Sequence, residues 1–255
     1  MFAGLDIGST TIKFVLLDDS EIVNYEIVKT GYDPAKTVEK LLSKYSYSKL
    51  VATGYGRYIL ESYLDDVDTI TEIKAYAIGV FNLFPEARTI LDIGGQDIKV
   101  ILIDNSGKIV KFEMNDKCAA GTGKFLEIMA ETLGYSIDEL GDNKRLACNK
   151  HVVINSTCTV FAESEVISLL TKGERRENIV NAVNRTVVKR AVSMLNRVGI
   201  VEPVVFAGGV AKNSCIVSML KETLNTNVIV SNTPQFIGAY GAAVFASKKF
   251  NKISQ

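Results

Sequence analysis

One short phrase occurs twice in this chain, and the duplication restricts the folds that the chain can adopt. Residues 5–20 read LDIGSTTIKFVLLDDS and residues 91–106 read LDIGGQDIKVILIDNS. The positions that recur are Leu5, Asp6, Ile7, Gly8, Ile12, Lys13, Leu16, Asp18 and Ser20 of the first copy, as Leu91, Asp92, Ile93, Gly94, Ile98, Lys99, Leu102, Asp104 and Ser106 of the second. Each copy predicts an apolar strand that ends in Asp, a glycine-led turn and a second apolar strand. The repeat predicts an α/β fold built by duplication, with a cleft between two related halves.

The tip of each hairpin has the composition of an anion-binding turn. Glycine, serine and threonine allow a tight turn whose backbone N–H groups face an anion. Two such tips facing each other would bind a polyphosphate from both sides. Asp6 and Asp92 each end a strand beside a tip, where carboxylates can hold a hydrated Mg²⁺. The repeat therefore predicts a nucleotide clamp, with Asp6 and Asp92 as catalytic candidates.

Composition argues against several other classes of protein. The chain has 255 residues, 47% of them hydrophobic and 23% charged, and its formal net charge is zero. Zero net charge gives no electrostatic reason to expect binding to nucleic acid or to an anionic membrane. The N-terminal MFAGLDIGSTT has no basic region and does not resemble a signal peptide. With four cysteines only, a secreted disulfide scaffold is not expected, and we predict a cytoplasmic protein.

The remaining patterns alternate between strands and helices. We expect a first half over residues 1–88, a second half over 89–235, and a C-terminal helix over 236–255 that packs back on the first half. Thr71 is the expected N-cap of a helix that ends before Pro85. The second half is expected to repeat the order, with strands at 88–93, 97–103 and 108–114, helices at 122–134 and 174–198, and a strand that turns on two glycines within 202–213.

Two cysteines have neighbours that suggest an inorganic cofactor. The cysteines form no CxxC pair. From their spacing alone, Cys118 and Cys158 are both expected to be small buried residues without a metal. The flanking sequences NDKCAAGTGKFLE and STCTVFAESEVISLL instead predict that both thiols lie at helix N-termini. Such positions stabilise thiolates and the charge of an iron–sulfur core. A four-iron cluster needs four thiolates, so two per chain suggest a symmetric dimer that shares one cluster.

Other polar and thiol residues have simpler interpretations. Cys215, Cys148 and His151 are expected to be structural or solvated, and Asp18 and Asp104 to form turns. Lys13 and Lys99 could each be a solvated strand residue, which is expected more for Lys99 than for Lys13. Glu163 and Glu165 are expected on a solvated helix face.

Seven phrases in order now identify a family resemblance that covers almost the whole chain. They are GLDIGSTTIK, TGYGR, LDIGGQDIK, NDKCAAGTGKFLE, STCTVFAESEVISL, FAGGVAKN and PQFIGAYGAA. The chain resembles the activator component of 2-hydroxyacyl-CoA dehydratases, a family that includes the ATPase subunits of benzoyl-CoA reductase. The resemblance implies the duplicated ribonuclease-H-like fold of actin, sugar kinases and heat-shock chaperones. It also implies an anaerobic ATPase and a homodimer with one [4Fe-4S] cluster at its interface, held by residues that match Cys118 and Cys158.

The family's nucleotide loops can be matched residue by residue. The first phosphate loop matches Gly8, Ser9, Thr10, Thr11, Ile12 and Lys13, and the second matches Gly94, Gly95, Gln96 and Asp97. The adenosine loop matches Gly208, Gly209, Val210 and Asn213, with Gln235 near the nucleoside. Gly121 and Thr122 are further cofactor-binding candidates, and Gln96 or Asp97 would orient the attacking water. Relatives often carry His where this chain has Tyr76, which puts any role of that histidine in doubt.

The resemblance also implies partners. Such proteins take one electron from a ferredoxin or flavodoxin and pass it, with hydrolysis of ATP to ADP, to an iron–sulfur acceptor enzyme. A 2-hydroxyacyl-CoA dehydratase is the first candidate acceptor, and a double-cubane cluster protein is another. Two alternative functions remain open from the sequence: a small-molecule kinase of the same fold, and a nucleotide-dependent redox sensor.

Overall fold

The structure, a computed structural model, describes residues 1–61, 67–142, 152–156 and 158–251. Cys148 and His151 lie outside the described residues. The strands are β1 (Phe2–Ile7), β2 (Thr11–Asp18), β3 (Glu21–Lys29), β4 (Lys49–Thr53), β5 (Val67–Thr69), β6 (Thr89–Ile93), β7 (Ile98–Ile103), β8 (Ile109–Asn115), β9 (Val204–Ala207) and β10 (Val228–Val230). The helices are α1 (Pro34–Leu42), α2 (Arg57–Glu61), α3 (Glu72–Leu83), α4 (Gly123–Leu133), α5 (Thr159–Thr171), α6 (Arg176–Val198), α7 (Ser214–Leu224) and α8 (Ile237–Asn251).

The chain forms two compact units. The first comprises Met1–Ile90, Ile103–Val110 and the chain from Gln235 onward, and the second comprises Leu91–Leu102 and Lys111–Pro234. Among the described strands, the sheet orders are β3-β2-β1-β4-β5 and β10-β9-β6-β7-β8. Read from β8, the second order repeats the first with corresponding strands. The predicted duplication is therefore present in the topology as well as in the repeated phrase.

The first unit packs helices on both faces of its sheet. In β2, Ile12, Phe14 and Leu16 lie in the same buried cluster as residues of α1. Val15 and Leu17 alternate with them and belong to a cluster with α8. This alternation is the period of two that a strand buried on both faces requires. The Thr71 side chain accepts a hydrogen bond from Lys74 N, so the predicted N-cap of α3 is confirmed.

The second unit buries its core between its sheet and four helices. The core joins residues of β6, β7 and β9 to apolar residues of α4, α5, α6 and α7. The predicted helix over 174–198 occurs as α6, which begins at Arg176. Cys215 lies in this core, as predicted, and burial raises the pKa of its thiol. Within the part of the chain that the structure describes, none of the helices has the length and apolar character that a bilayer crossing requires.

The polar turn at the end of the second hairpin also has the predicted role. The Asp104 carboxylate accepts hydrogen bonds from Ser106 N, Ser106 Oγ and Lys108 N. These bonds, the Ser106 side-chain bond foremost, lower the pKa of Asp104. An aspartate that binds the backbone of the following residues in this way stabilises a turn.

Candidate functional site

The first hairpin ends in a tight turn that presents an exposed tip. Gly8 N donates to Thr11 O at 3.1 Å and closes the turn. Thr30, which follows β3, supports the turn, because its N donates to Thr10 O at 3.0 Å and its Oγ1 to Gly8 O at 2.7 Å. Ser9 and Thr10 are exposed at this tip, where backbone donors can reach a phosphate.

The carboxylate of Asp6 lies buried beside this turn. Asp6 pairs with Lys13 across the antiparallel strands, and Lys13 Nζ donates to Asp6 Oδ2 at 3.3 Å. The other oxygen, Oδ1, is buried and has no hydrogen-bond partner among the described residues. A buried carboxylate oxygen in this condition is costly unless a donor or a cation meets it. This carboxylate oxygen therefore fits the predicted role of Asp6 in holding a hydrated Mg²⁺.

The second hairpin repeats the arrangement with one additional carboxylate. Gly94 N donates to Asp97 O at 3.0 Å, as Gly8 does to Thr11. Lys99 Nζ donates to Asp92 Oδ2 at 3.0 Å and to Asp97 Oδ2 at 2.6 Å. The Lys99 side chain is only 1% exposed, so the prediction of a solvated lysine was wrong. The physical reason is that two carboxylates compensate the desolvation of its ammonium group.

The two lysines therefore differ in what they can contact. Thr11 occupies the position of the first hairpin that Asp97 occupies in the second. Lys13 has one carboxylate partner and a side chain that is 15% exposed, whereas Lys99 is enclosed by two. Lys13 is accordingly the lysine that can reach a ligand. Asp97 is engaged by Lys99, while Gln96 is exposed at the tip, which makes Gln96 the more accessible of the two candidates.

In each half, one glycine lies directly against the buried aspartate. Gly208 follows β9 with a φ of +86°, and a Cβ placed there would lie 2.5 Å from Asp92 Oδ1 and contact Ile93 O. Gly54 follows β4 with the same φ of +86°, and its Cβ would lie 2.5 Å from Asp6 Oδ1. The sequence predicted nucleotide binding for Gly208 but did not predict the contact of Gly54 with Asp6. The position of Gly54 after a strand parallel to β1 is the signal that identifies it.

We expect Gly208→Ala to destabilise the protein and to weaken nucleotide binding. Positive φ and the collision with Asp92 act together, and strain of this kind costs about 1–3 kcal/mol for each such residue. Gly173→Ala is the matched control, because Gly173 has a φ of +78° with no atom of the described residues within 4 Å of the added Cβ. Denaturant unfolding and nucleotide titration measure both effects. Equal losses of stability and nucleotide affinity in the two variants would show that the close approach to Asp92 is not the reason for glycine at position 208.

The predicted adenosine loop lies at the end of β9. Gly209 and Val210 belong to a short 3-10 turn, Gly209–Lys212, and Gly208 N donates to Pro234 O at 2.9 Å. Asn213 caps α7 by accepting from Ile216 N at 2.9 Å. Its Nδ2 donates to Asn184 Oδ1 at 3.2 Å, within a buried pair that the sequence analysis did not find. Gln235 lies in the 3-10 turn Pro234–Phe236.

Tyr76 is a buried residue of the first unit. Its ring would lie 3.0 Å from a Cβ at Gly238, which places it in the packing between α3 and α8. Position 76 is thus occupied by a core aromatic residue.

Cys118 lies in the loop between β8 and α4, five residues before the helix begins at Gly123. Its thiol therefore lies before the start of a helix, separated from it by a turn of small residues. A turn intervenes, because Thr122 donates to Ala119 O through both N, at 3.0 Å, and Oγ1, at 2.6 Å. Gly121 allows the turn, since it has a φ of +78° and packs against the Arg190 stem. Asn115 Nδ2 donates to Cys118 O at 3.2 Å.

The start of α4 is hydrogen-bonded to the second phosphate loop. Gly123 N donates to Gly94 O at 2.9 Å, and Lys124 N donates to Gly95 O at 2.7 Å. The first N–H groups of a helix lack intrahelical partners, and here they bind the loop carbonyls. The phosphate loop and the turn that follows Cys118 are thus joined by direct backbone contacts.

Cys158 is the N-cap residue of α5 and is exposed, so its predicted position at a helix start is confirmed. Glu165, further along α5, was expected on a solvated face, but that expectation was wrong. It is half-buried and accepts hydrogen bonds from Asn155 and Ser156. Burial raises the pKa of Glu165, but these hydrogen bonds lower it by more. The pKa therefore lies below its ordinary value.

Two of the three free thiols that the structure describes are accessible to solvent. Cys118 and Cys158 are free and at least partly accessible, whereas Cys215 is buried. Among the described residues, no group of three or more His, Cys, Asp and Glu side chains is placed to hold a metal ion.

The chain is similar along most of its length to two curated ATPase-type activator proteins. The chain is 46% identical over 252 residues to a 2-hydroxyisocaproyl-CoA dehydratase activator of Clostridioides difficile, covering 95% of this chain and 93% of the relative. It is 42% identical to the (R)-2-hydroxyglutaryl-CoA dehydratase activating ATPase of Acidaminococcus fermentans, covering 98% of each chain.

Solved structures establish the fold. The activator of 2-hydroxyisocaproyl-CoA dehydratase from Clostridium difficile, with bound ADPNP, superposes with a TM-score of 0.89 at 44% identity, covering 100% of this chain and 97% of that one. A ROK family glucokinase from Streptomyces griseus, at 12% identity, shares the fold with a TM-score of 0.59, covering 97% and 99%. The predicted actin-like and sugar-kinase-like α/β fold is thus confirmed. Residues 3–246 match the profile of the BadF/BadG/BcrA/BcrD ATPase family, and the chain belongs to that family.

Proposed function

We propose that this ATPase is a homodimeric electron-transfer activator of an iron–sulfur enzyme of the 2-hydroxyacyl-CoA dehydratase class. Cys118 and Cys158 of each copy would together hold one [4Fe-4S] cluster. The names of the curated relatives support the class of acceptor. The ADPNP bound to a 44% identical structure supports ATP as the nucleotide.

The observation that carries the proposal is the pair of hydrogen bonds from Gly123 N and Lys124 N to the carbonyls of Gly94 and Gly95. A phosphate bound at the second loop would act on Gly94 and Gly95, the residues to which these carbonyls belong. Because α4 starts there, a change in the loop is transmitted to the turn that follows Cys118. ATP and ADP must contact the two states of this region differently, since a ligand with equal affinity for both shifts nothing.

The nucleotide would be held by both hairpins. Backbone donors of the tips would bind phosphates, and Lys13 would meet a β- or γ-phosphate oxygen. Asp6 and Asp92 would hold the waters of Mg²⁺, and the exposed Gln96 would orient the attacking water. Hydrolysis converts ATP and water to ADP and phosphate with no change of oxidation state.

A [4Fe-4S] cluster would supply the one-electron relay. Reduced ferredoxin or flavodoxin loses one electron, and the iron–sulfur centre of the acceptor gains it. The chain's own contribution is to supply thiolates and to orient them. The N-terminus of α5 beside Cys158 favours the negative charge of such a site.

A direct test mixes the anoxic, reconstituted protein with a purified 2-hydroxyacyl-CoA dehydratase and a reduced ferredoxin. We expect dehydratase activation with ATP and none with ADP or without nucleotide. Activation that does not depend on ATP, or ATP hydrolysis with no electron reaching any iron–sulfur acceptor, would contradict the proposal.

We expect Asp6→Asn to lower ATP turnover by roughly a hundredfold while iron content stays unchanged. Removing a single charge-stabilising group from a catalytic site lowers the rate by about this factor. Asn keeps the shape of the buried side chain. Asp18→Asn is the control, because Asp18 ends β2 and is exposed. Phosphate release measures turnover, and unchanged turnover in Asp6→Asn would exclude Asp6 from the catalytic site.

A further inference from the structure

A carboxylate on α5 binds the chain segment that leads to Cys158. Glu165 Oε2 accepts from Asn155 N at 2.9 Å and from Ser156 N at 3.0 Å. Glu165 Oε1 accepts from Asn155 Nδ2 at 3.3 Å. Three donors from two consecutive residues thus converge on one carboxylate, which is charged at neutral pH because these bonds hold its pKa below the usual range despite burial.

Glu165 acts at a distance from the thiol. It lies seven residues after Cys158 on the same helix, which is about 10 Å along the axis at about 1.5 Å per residue. Glu165 is therefore no ligand to a group bound at Cys158. Its contacts are instead with Asn155 and Ser156, which lie shortly before the N-cap residue in the sequence.

The segment is held from two sides. Val152 and Ile154 are buried in the core of the second unit. Asn155 is exposed and Ser156 half-buried, so apolar packing does little to hold them. The hydrogen bonds from both residues to Glu165 supply the anchor at this end of the segment.

We propose that Glu165 is a positioning residue for Cys158, one that holds the thiol in the direction needed to share a cluster with a second copy of the chain. The inference rests on the proposed function, in which Cys158 is a cluster ligand. Metal sites tolerate little displacement of their ligands, and residues that orient ligands typically change metal affinity by about 10–100-fold when they are removed.

The experiment compares four variants after anoxic reconstitution: Glu165→Ala, Glu165→Gln, Glu165→Asp and the control Glu163→Ala. Glu163 has the same charge on the same helix, but it accepts from Thr132 of α4 at 3.3 Å instead of from the segment before Cys158. Three properties are measured: iron and acid-labile sulfide per chain, the rate at which a ferrous chelator removes iron, and the electron paramagnetic resonance spectrum after reduction.

We expect Glu165→Ala to lose iron at least about tenfold faster than the unmodified protein, with an altered spectrum and unchanged nucleotide affinity. Glu165→Gln should remain close to the unmodified protein. Its amide oxygen can accept both backbone N–H groups, and its NH₂ can face the Asn155 amide once that amide turns over. Glu165→Asp keeps the charge but shortens the reach, so it should lose iron faster than Glu165→Gln. This order separates position from charge.

Two results would overturn parts of the account separately. If Cys158→Ser lacks iron but Glu165→Ala and Glu163→Ala release iron equally slowly, the role of Glu165 is wrong and the proposed function stands. If Cys158→Ser retains the full iron content, the proposed function itself is wrong. Should Glu165→Ala fail to fold, Glu165→Asp decides, because a rate equal to that of the unmodified protein contradicts the role.

Discussion

Lys99→Met is expected to destabilise the folded protein by about 3–5 kcal/mol, the usual effect of removing one partner from a buried ion pair. The Lys99 ammonium donates to Asp92 at 3.0 Å and to Asp97 at 2.6 Å, and it is almost fully enclosed. Methionine fills a similar volume but leaves buried carboxylate charge uncompensated. Denaturant unfolding without nucleotide measures the change in the free energy of unfolding.

Lys124→Met is the control for this prediction. Lys124 forms an exposed ion pair with Glu127 on α4, with side chains 50% and 45% exposed, and such pairs contribute at most about 1 kcal/mol. The double variant Lys99→Met/Asp97→Asn should recover part of the loss, because one of the two carboxylate charges is removed as well. A Lys99→Met protein as stable as the Lys124→Met protein would show that the buried triad has no structural role.

Cys158→Ser is expected to abolish iron binding almost completely while nucleotide binding persists. A hydroxyl is not a thiolate, and the loss occurs twice in a dimer, so that a shared cluster would lose two of its four ligands. The nucleotide loops lie elsewhere in the chain and keep their contacts. Iron analysis and acid-labile sulfide, together with nucleotide titration, measure the two properties.

Cys215→Ala serves as the control for the thiol. Cys215 is buried in the core of the second unit, so its removal should affect stability without affecting iron. Iron retained at the unmodified level in Cys158→Ser would exclude Cys158 from the ligand set.

The repeat made the fold predictable to a large extent. A phrase that recurs with Asp6 and Lys13 matched by Asp92 and Lys99 specifies two equivalent hairpins, and the structure contains them with equivalent hydrogen bonds. The sequence also predicted the Thr71 cap and the position of Cys158 at a helix start. Both features depend on residues that are neighbours in the sequence.

The features that escaped prediction depend on side-chain contacts that exist only in the folded chain. The burial of Lys99 follows from two carboxylates of the same hairpin, Asp92 and Asp97, whereas lysine in a strand is usually solvated. The contact between Gly54 and Asp6 arises only after β4 pairs with β1. Glu165 looked like a solvated helix residue because its partners, Asn155 and Ser156, belong to a segment without regular structure.

Native mass spectrometry of the reconstituted protein under strict anoxia tests the central claim most directly. The account predicts a species of two chains that carries four irons and four sulfides, and predicts that Cys158→Ser eliminates this species. Single chains that bind nucleotide but contain neither iron nor acid-labile sulfide would contradict it.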